Sequence, residues 1–92
     1  MELEQLRIFL TVAECGSFTG AARRLFVSHS TTSRAVAALE TELGVRLFDR
    51  DRRSVELTEA GRVLCAESEK LLHAAEAAAA AVKAAGTTEA AM

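Results

Sequence analysis

Residues 15–39 carry three arginines (Arg23, Arg24, Arg34) and no aspartate or glutamate. Short punctuation signals divide this acid-free run. Gly16 is followed by Ser17, Val27 by Ser28, and Gly44 stands just beyond. Glycine closes a helix by taking a left-handed backbone conformation, and serine opens the next by accepting a first-turn N–H. The pattern predicts a short helix over 18–26, a tight turn, and a second helix over 29–43. Helix, short turn and helix in this order read as a helix-turn-helix.

The second of these helices has two unlike faces. At about 100° per residue, Thr32, Val36, Leu39 and Leu43 share one side, which must be core. Ser30, Arg34, Ala37 and Thr41 share the other, flanked by Ser33 and Ala38. That outer side is short and unhindered, as a helix entering a nucleic-acid groove must be, and residues near its N-terminus are those that reach base edges. The free N–H groups and helix dipole around Ser28–Ser30 favour a phosphate. The same serines and threonines also suit simple capping. On the preceding helix, Ala21, Ala22, Leu25 and Phe26 are expected to face inward. Arg23 and Arg24 point outward, either as solvated surface or as backbone phosphate contacts.

The flanking segments complete the expected fold. Residues 2–14 form a first helix, with Leu3, Leu6, Leu10 and Ala13 in register and Phe9 and Val12 widening the stripe. Residues 45–50 and 54–57 alternate as two strands of a hairpin, with Asp51, Arg52 and Arg53 at its tip. A hairpin behind a helix-turn-helix is a wing. Its tip arginines would follow the backbone or enter a minor groove, unless Asp49 and Asp51 pair with them. Thr58 caps a long helix reaching about residue 85, where Gly86 is expected to stop it. Gly61, Leu64, Ser68, Leu71, Ala75, Ala78, Val82 and Ala85 recur at alternating spacings of three and four, a seam for a partner helix. The competing reading is a solitary helix sustained by alanine propensity.

Charge and composition narrow the function. The 92 residues have a formal net charge of −2. Residues 1–58 hold eight arginines and eight acids, whereas residues 59–92 hold three basic and five acidic residues. Local field steers a charged ligand, so an acid-free patch can bind a polyanion on a mildly acidic chain. Cys15 and Cys65 fit no metal or redox spacing, and His29 and His73 lack a zinc pattern. No metal or other cofactor is expected. No Ser/His/Asp arrangement or phosphate loop is present, so no enzyme is expected. The amphipathic, acidic N-terminus is unlike a signal peptide, and no charge-free apolar run approaches about 18 residues except a weakly apolar alanine stretch. A cytoplasmic, nucleoid-associated protein is expected, without a membrane partner.

The segments LEQLRIFLTVAECGSFTGAARRLFVS, SRAVAALETELGVRLFDR and LTEAGRVL resemble the N-terminal DNA-binding region of LysR-type transcriptional regulators. The resemblance covers residues 1 to about 72. It implies a mainly α winged helix-turn-helix over 1–57, a dimerising linker helix over 58–85, and a flexible tail over 86–92. It implies DNA contacts from Ser28, His29, Ser30, Thr31, Ser33 and Arg34 at the recognition-helix start, and from the wing over 50–54 with Arg52 and Arg53. Arg23 and Arg24 would add backbone affinity. Dimerisation would use Leu64, Ser68, Leu71, Ala75, Ala78 and Val82. Family members commonly have Gln then Pro or Ser where this chain has His29–Ser30. A bidentate bond from Gln to adenine is thereby lost, since neutral His offers one donor or acceptor at a time.

The expected function is sequence-specific binding of double-stranded DNA, at an operator or promoter, by a homodimer on an interrupted palindrome. The chain stops where a linker would lead onward, so the expectation is the DNA-binding portion of a longer regulator rather than a short stand-alone one. A small-molecule effector, and a tetramer, would come only with a C-terminal domain. The alternative is a winged-helix protein-interaction module or coiled-coil adaptor using the face of Ala37 and Ala38.

Overall fold

A computed structural model describes residues 1–50 and 55–90 of the chain. Its elements are α1 (Leu3–Cys15), α2 (Phe18–Leu25), α3 (His29–Leu43), β1 (Phe48–Asp49), β2 (Glu56–Leu57) and α4 (Glu59–Ala90). The two strands pair antiparallel, Phe48 opposite Leu57 and Asp49 opposite Glu56. The tip residues Asp51, Arg52 and Arg53 lie outside the described residues.

Local chemistry fixes the helix ends. Glu2 and Gln5 form a reciprocal capping box on α1, the Glu2 N–H donating to Gln5 Oε1 at 3.0 Å. Gly16 closes α1 at φ 62°, and Gly44 closes α3 at φ 69°. Ser17 Oγ accepts the Gly20 N–H at 2.9 Å, Ser28 Oγ the Thr31 N–H at 3.0 Å, and Thr58 Oγ1 the Gly61 N–H at 3.0 Å. Each bond satisfies a first-turn donor that would otherwise lack a partner.

The core lies where α1 crosses the other helices. Leu6, Phe9 and Val12 from α1 meet Ala21, Val36, Leu39, Leu47, Phe48 and Leu64. Phe48 is wedged between two rings, 5.3 Å from the Phe9 centroid and 5.8 Å from that of Phe18. Burial of each such large apolar side chain contributes about 1.5–3 kcal/mol, so β1 is held to the head by Phe48 more than by its two-residue ladder.

Four expectations are corrected here. Phe26 does not face inward: it is 93% exposed and takes a left-handed conformation, φ 57°. The helix ends one residue earlier, and the Val27 N–H bonds the Ala22 carbonyl at 3.0 Å, so Phe26 fills the left-handed place usually given to glycine. The strands are shorter than 45–50 and 54–57, because the Leu47 N–H is taken by the Glu40 carboxylate at 2.8 Å. Gly86 does not stop α4, which continues to Ala90 and leaves no separate tail beginning at 86. Finally, Leu64 and Ser68 are buried in the chain's own structure. Leu64 packs in the same core cluster as α1, so the first turns of α4 belong to the head rather than to a linker starting at 58.

Candidate nucleic-acid interface

Helix α3 presents the outward surface. Thr32, Val36 and Leu39 are buried along one side, which forces Ser30, Arg34, Ala37 and Thr41 to the other, where all are exposed. Thr32 is inward, as its place in the helix predicts, and its hydroxyl donates to the Ser28 carbonyl at 3.1 Å. The first turn is organised by its cap. Ser28 Oγ lies 2.9 Å from Thr31 Oγ1, so both hydroxyls are engaged in closing the turn. His29 Nδ1 is 3.4 Å from Ser33 Oγ. Arg34 Nε donates to the Ser30 carbonyl at 3.3 Å, a bond that lays the aliphatic stem along the helix and leaves the guanidinium exposed.

The structure thus brings His29, Ser30, Ser33 and Arg34 together on the first two turns of α3. The α2 arginines differ from one another. Arg23 is exposed, whereas Arg24 Nη1 bonds Glu14 Oε2 at 2.9 Å and joins α2 to α1. Both members of that pair are more than half exposed, so the contact is weak and easily exchanged. Arg52 and Arg53 lie outside the described residues.

Sequence reasoning missed a second group beside α3. The Glu40 side chain is only 11% exposed and gathers the start of the wing. Its Oε2 accepts the Leu47 N–H, its Oε1 accepts from Arg50 Nη2 at 3.0 Å, and Arg46 Nε stands 3.7 Å from Oε2. The Arg50 guanidinium carbon also lies 5.4 Å from the Phe18 ring centroid. Glu40 and Arg50 are ten residues apart in sequence, and Phe18 lies on another helix still farther away, so no local pattern announces them. The one available signal was that the acid-free run ends at a glutamate followed closely by two arginines.

Behind the wing, α4 is rooted tightly. The Thr58 N–H donates to the Leu47 carbonyl at 3.0 Å, and Thr58 Oγ1 to the Arg46 carbonyl at 2.7 Å. Farther along α4, Leu71 and Val82 are exposed, Ala75 is half-buried and Ala78 exposed. Among the described residues no group of three His, Cys, Asp or Glu could hold a metal ion, and no helix is long and apolar enough to cross a membrane. Burial, with Glu69 and then Glu14 nearby, pushes the Cys65 thiol above its ordinary range.

This architecture has close counterparts. ClcR, an HTH-type transcriptional regulator of Pseudomonas putida, is 49% identical over 76 residues, covering 83% of this chain and 26% of that protein. The transcriptional activator AaeR of Escherichia coli is 46% identical over 71 residues, covering 77% of this chain and 23% of that protein. The chain therefore spans about a quarter of the length of these two regulators. Among solved structures, the CbnR DBD–DNA complex superposes with a TM-score of 0.89 at 40% identity, covering 94% of this chain and 99% of that one. The BenM DBD bound to catB site 1 DNA gives 0.85 at 37% identity, covering 90% and 92%. The model of bacterial regulatory helix-turn-helix proteins of the lysR family matches residues 3–62. With its winged helix-turn-helix and the long helix behind it, this chain belongs to the LysR family of bacterial transcriptional regulators.

Proposed function

We propose that this chain is the DNA-reading module of a bacterial transcriptional regulator, binding double-stranded operator DNA as a homodimer in the cytoplasm. One observation carries the reading. The first two turns of α3 expose His29, Ser30 and Arg34 from a helix whose opposite side is anchored in the core. That surface has the size, polarity and rigidity a major groove requires. Arg34 supplies a base or phosphate contact, His29 and Ser30 short-range selectivity, and Arg23 with the wing arginines backbone affinity. That the similar CbnR and BenM domains form complexes with DNA supports a DNA ligand.

Dimerisation is assigned to the outer part of α4. Leu64 and Ser68 already serve the head, so the pairing face consists of Leu71, Ala75, Ala78 and Val82, with Val82 71% exposed. An alanine-rich seam lets two helices approach closely while burying little area. Two heads joined in this way present two recognition helices to an interrupted palindrome. An effector response would belong to a further domain of a longer regulator.

Selection of bound sequences from random duplexes at two salt concentrations tests the proposal. It should yield a paired half-site with fixed spacing and a steep loss of affinity with salt, because phosphate neutralisation releases counterions. A protein-interaction module or adaptor would enrich no half-site and show no such slope.

A further inference from the structure

We propose that His29 reads the major-groove edge of a guanine by donating from Nε2, and that Ser33 sets this role by holding Nδ1 rather than by touching DNA itself. Both assignments rest on α3 being the DNA-reading helix. They add the class of base read, and they move Ser33 from contact to positioning residue.

Two neighbours fix where the His29 ring lies. Its Nδ1 stands 3.4 Å from Ser33 Oγ, one turn along α3. Its centroid is 6.2 Å from that of Phe18 on α2, with the rings tilted by 46°. Phe18 is itself lodged edge-on against the buried Phe48, 5.8 Å away. The imidazole therefore leans on a ring that packs into the core, and a side chain placed in advance loses less rotamer freedom on binding. His29 is exposed whereas Ser33 is half-buried. Nε2, rather than the Ser33 hydroxyl, is thus the group offered to a base.

The hydrogen-bond chemistry follows from which nitrogen Ser33 takes. A hydroxyl hydrogen rotates to suit its partner, and an imidazole nitrogen is a far better base than a hydroxyl oxygen. Ser33 therefore donates to Nδ1, which fixes the neutral ring as its Nε2–H tautomer. The imidazolium keeps Nε2–H as well, with Nδ1–H then donating to Ser33. In both states Nε2 is a donor. Cytosine shows the major groove an amino donor, adenine sets an amino group beside its N7, and thymine sets a methyl group beside its O4. Guanine offers two adjacent acceptors, N7 and O6, and best matches a lone donor.

Charge points the same way. Phe18, His29, Ser33 and Arg50 line one notch, with no carboxylate among them. Arg50 reaches it from the wing, its Nη2 bonded to Glu40 Oε1 at 3.0 Å, and Arg34 is exposed one turn further along α3. Residues 15–39 hold no acid. Positive surroundings favour the base edge that carries two acceptors and no donor.

The test is selection from random duplexes with wild type, His29→Ala, His29→Gln, Ser33→Ala and Ser33→Thr, each checked for folding by thermal unfolding. Wild type should favour guanine about fivefold at one position of each half-site. His29→Ala should lose that preference and no other. His29→Gln should move it to adenine, which glutamine bonds through N6 and N7. Ser33→Ala should blur the same position with an unchanged salt slope, since no charge is removed. Ser33→Thr keeps the hydroxyl and should restore the preference. Should His29→Ala not fold, the guanine-to-adenine change in His29→Gln carries the test. Another base at the His29-dependent position, or wild-type profiles in the His29 variants, overturns the base assignment and leaves DNA reading by α3 intact. Full guanine preference in Ser33→Ala overturns the positioning role. No enriched half-site with wild type removes α3 as a base reader, and His29 with it.

Discussion

The Gly61 α-carbon lies directly against the Leu47 carbonyl, so close that a methyl group there would be driven into the oxygen and would stand 2.8 Å from Leu57 Cδ2. The same carbonyl accepts the Thr58 N–H. Gly61→Ala should therefore destabilise the fold by about 1–3 kcal/mol or more, since backbone must move to admit it. Gly86 has open space around it within the same helix. Gly86→Ala should be neutral or stabilising by up to about 1 kcal/mol. Urea unfolding of the two variants beside wild type measures this, and equal effects would contradict the packing described.

Phe26 combines full exposure with a left-handed backbone, φ 57° and ψ 42°. That conformation costs an ordinary L-residue about 1–2 kcal/mol, whereas asparagine tolerates it. Phe26→Asn should leave the melting temperature unchanged or raise it, the reverse of what a buried phenylalanine would give. A loss as large as the about 3–5 kcal/mol typical of a truncated core phenylalanine would show that the ring is packed after all.

Ser68 is buried, and its Oγ finds no hydrogen-bond partner among the described residues. A buried, unsatisfied hydroxyl costs about 1–3 kcal/mol, and alanine is the better helix former. Ser68→Ala should raise the denaturation midpoint. A lowered midpoint would mean that the hydroxyl is satisfied in solution.

Arg34 stands exposed on the second turn of α3, its Nε bonded to the Ser30 carbonyl. Arg34→Ala should weaken binding to the preferred half-site by about 1–3 kcal/mol and relax selectivity at one base position. Titration of matched and mismatched duplexes distinguishes this from the uniform loss expected of a phosphate ligand.

The Cys65 thiol is pushed up by burial and by nearby Glu69 and Glu14. A raised folded-state value means that the unfolded chain releases this proton first as pH rises. The associated stability is complete below the unfolded thiol's range and is lost as pH climbs through the folded one. Cys65→Ala should therefore show a smaller drop in urea midpoint between neutral and alkaline pH than wild type. Alkylation of Cys65 should be slow in the folded protein and accelerate on unfolding.

What the sequence makes legible here is mostly local. Gly16, Ser17, Ser28, Gly44 and Thr58 mark helix ends through bonds spanning a few residues, and the inward side of α3 follows from spacing at Thr32, Val36 and Leu39, whereas Leu43, expected in the core, is 41% exposed in the last turn of the helix. Phe26 escapes because a left-handed phenylalanine carries none of glycine's signal. Leu64 and Ser68 escape because seam spacing is the same whether the partner is a second copy or the chain's own α1. Val45 and Arg46 alternate like a strand, yet the next N–H is claimed by Glu40, so pairing starts only at Phe48. Gly86 reads as a stop but sits in an alanine-rich helix whose propensity carries it through. The Glu40–Arg50–Phe18 arrangement is wholly tertiary, and only the folded chain reveals it.

The rooting of α4 at Leu47 turns that helix into a lever. Its 32 residues extend about 48 Å at about 1.5 Å per residue. A tilt of about 5° at the root moves the far end by about 4 Å, comparable to one base-pair step of about 3.4 Å. If two heads are joined near such ends, as proposed, they would inherit any angular play at the joint as error in half-site spacing. In the proposed dimer, the missing side chain at position 61, by letting helix and carbonyl touch, would set the calibration of a ruler.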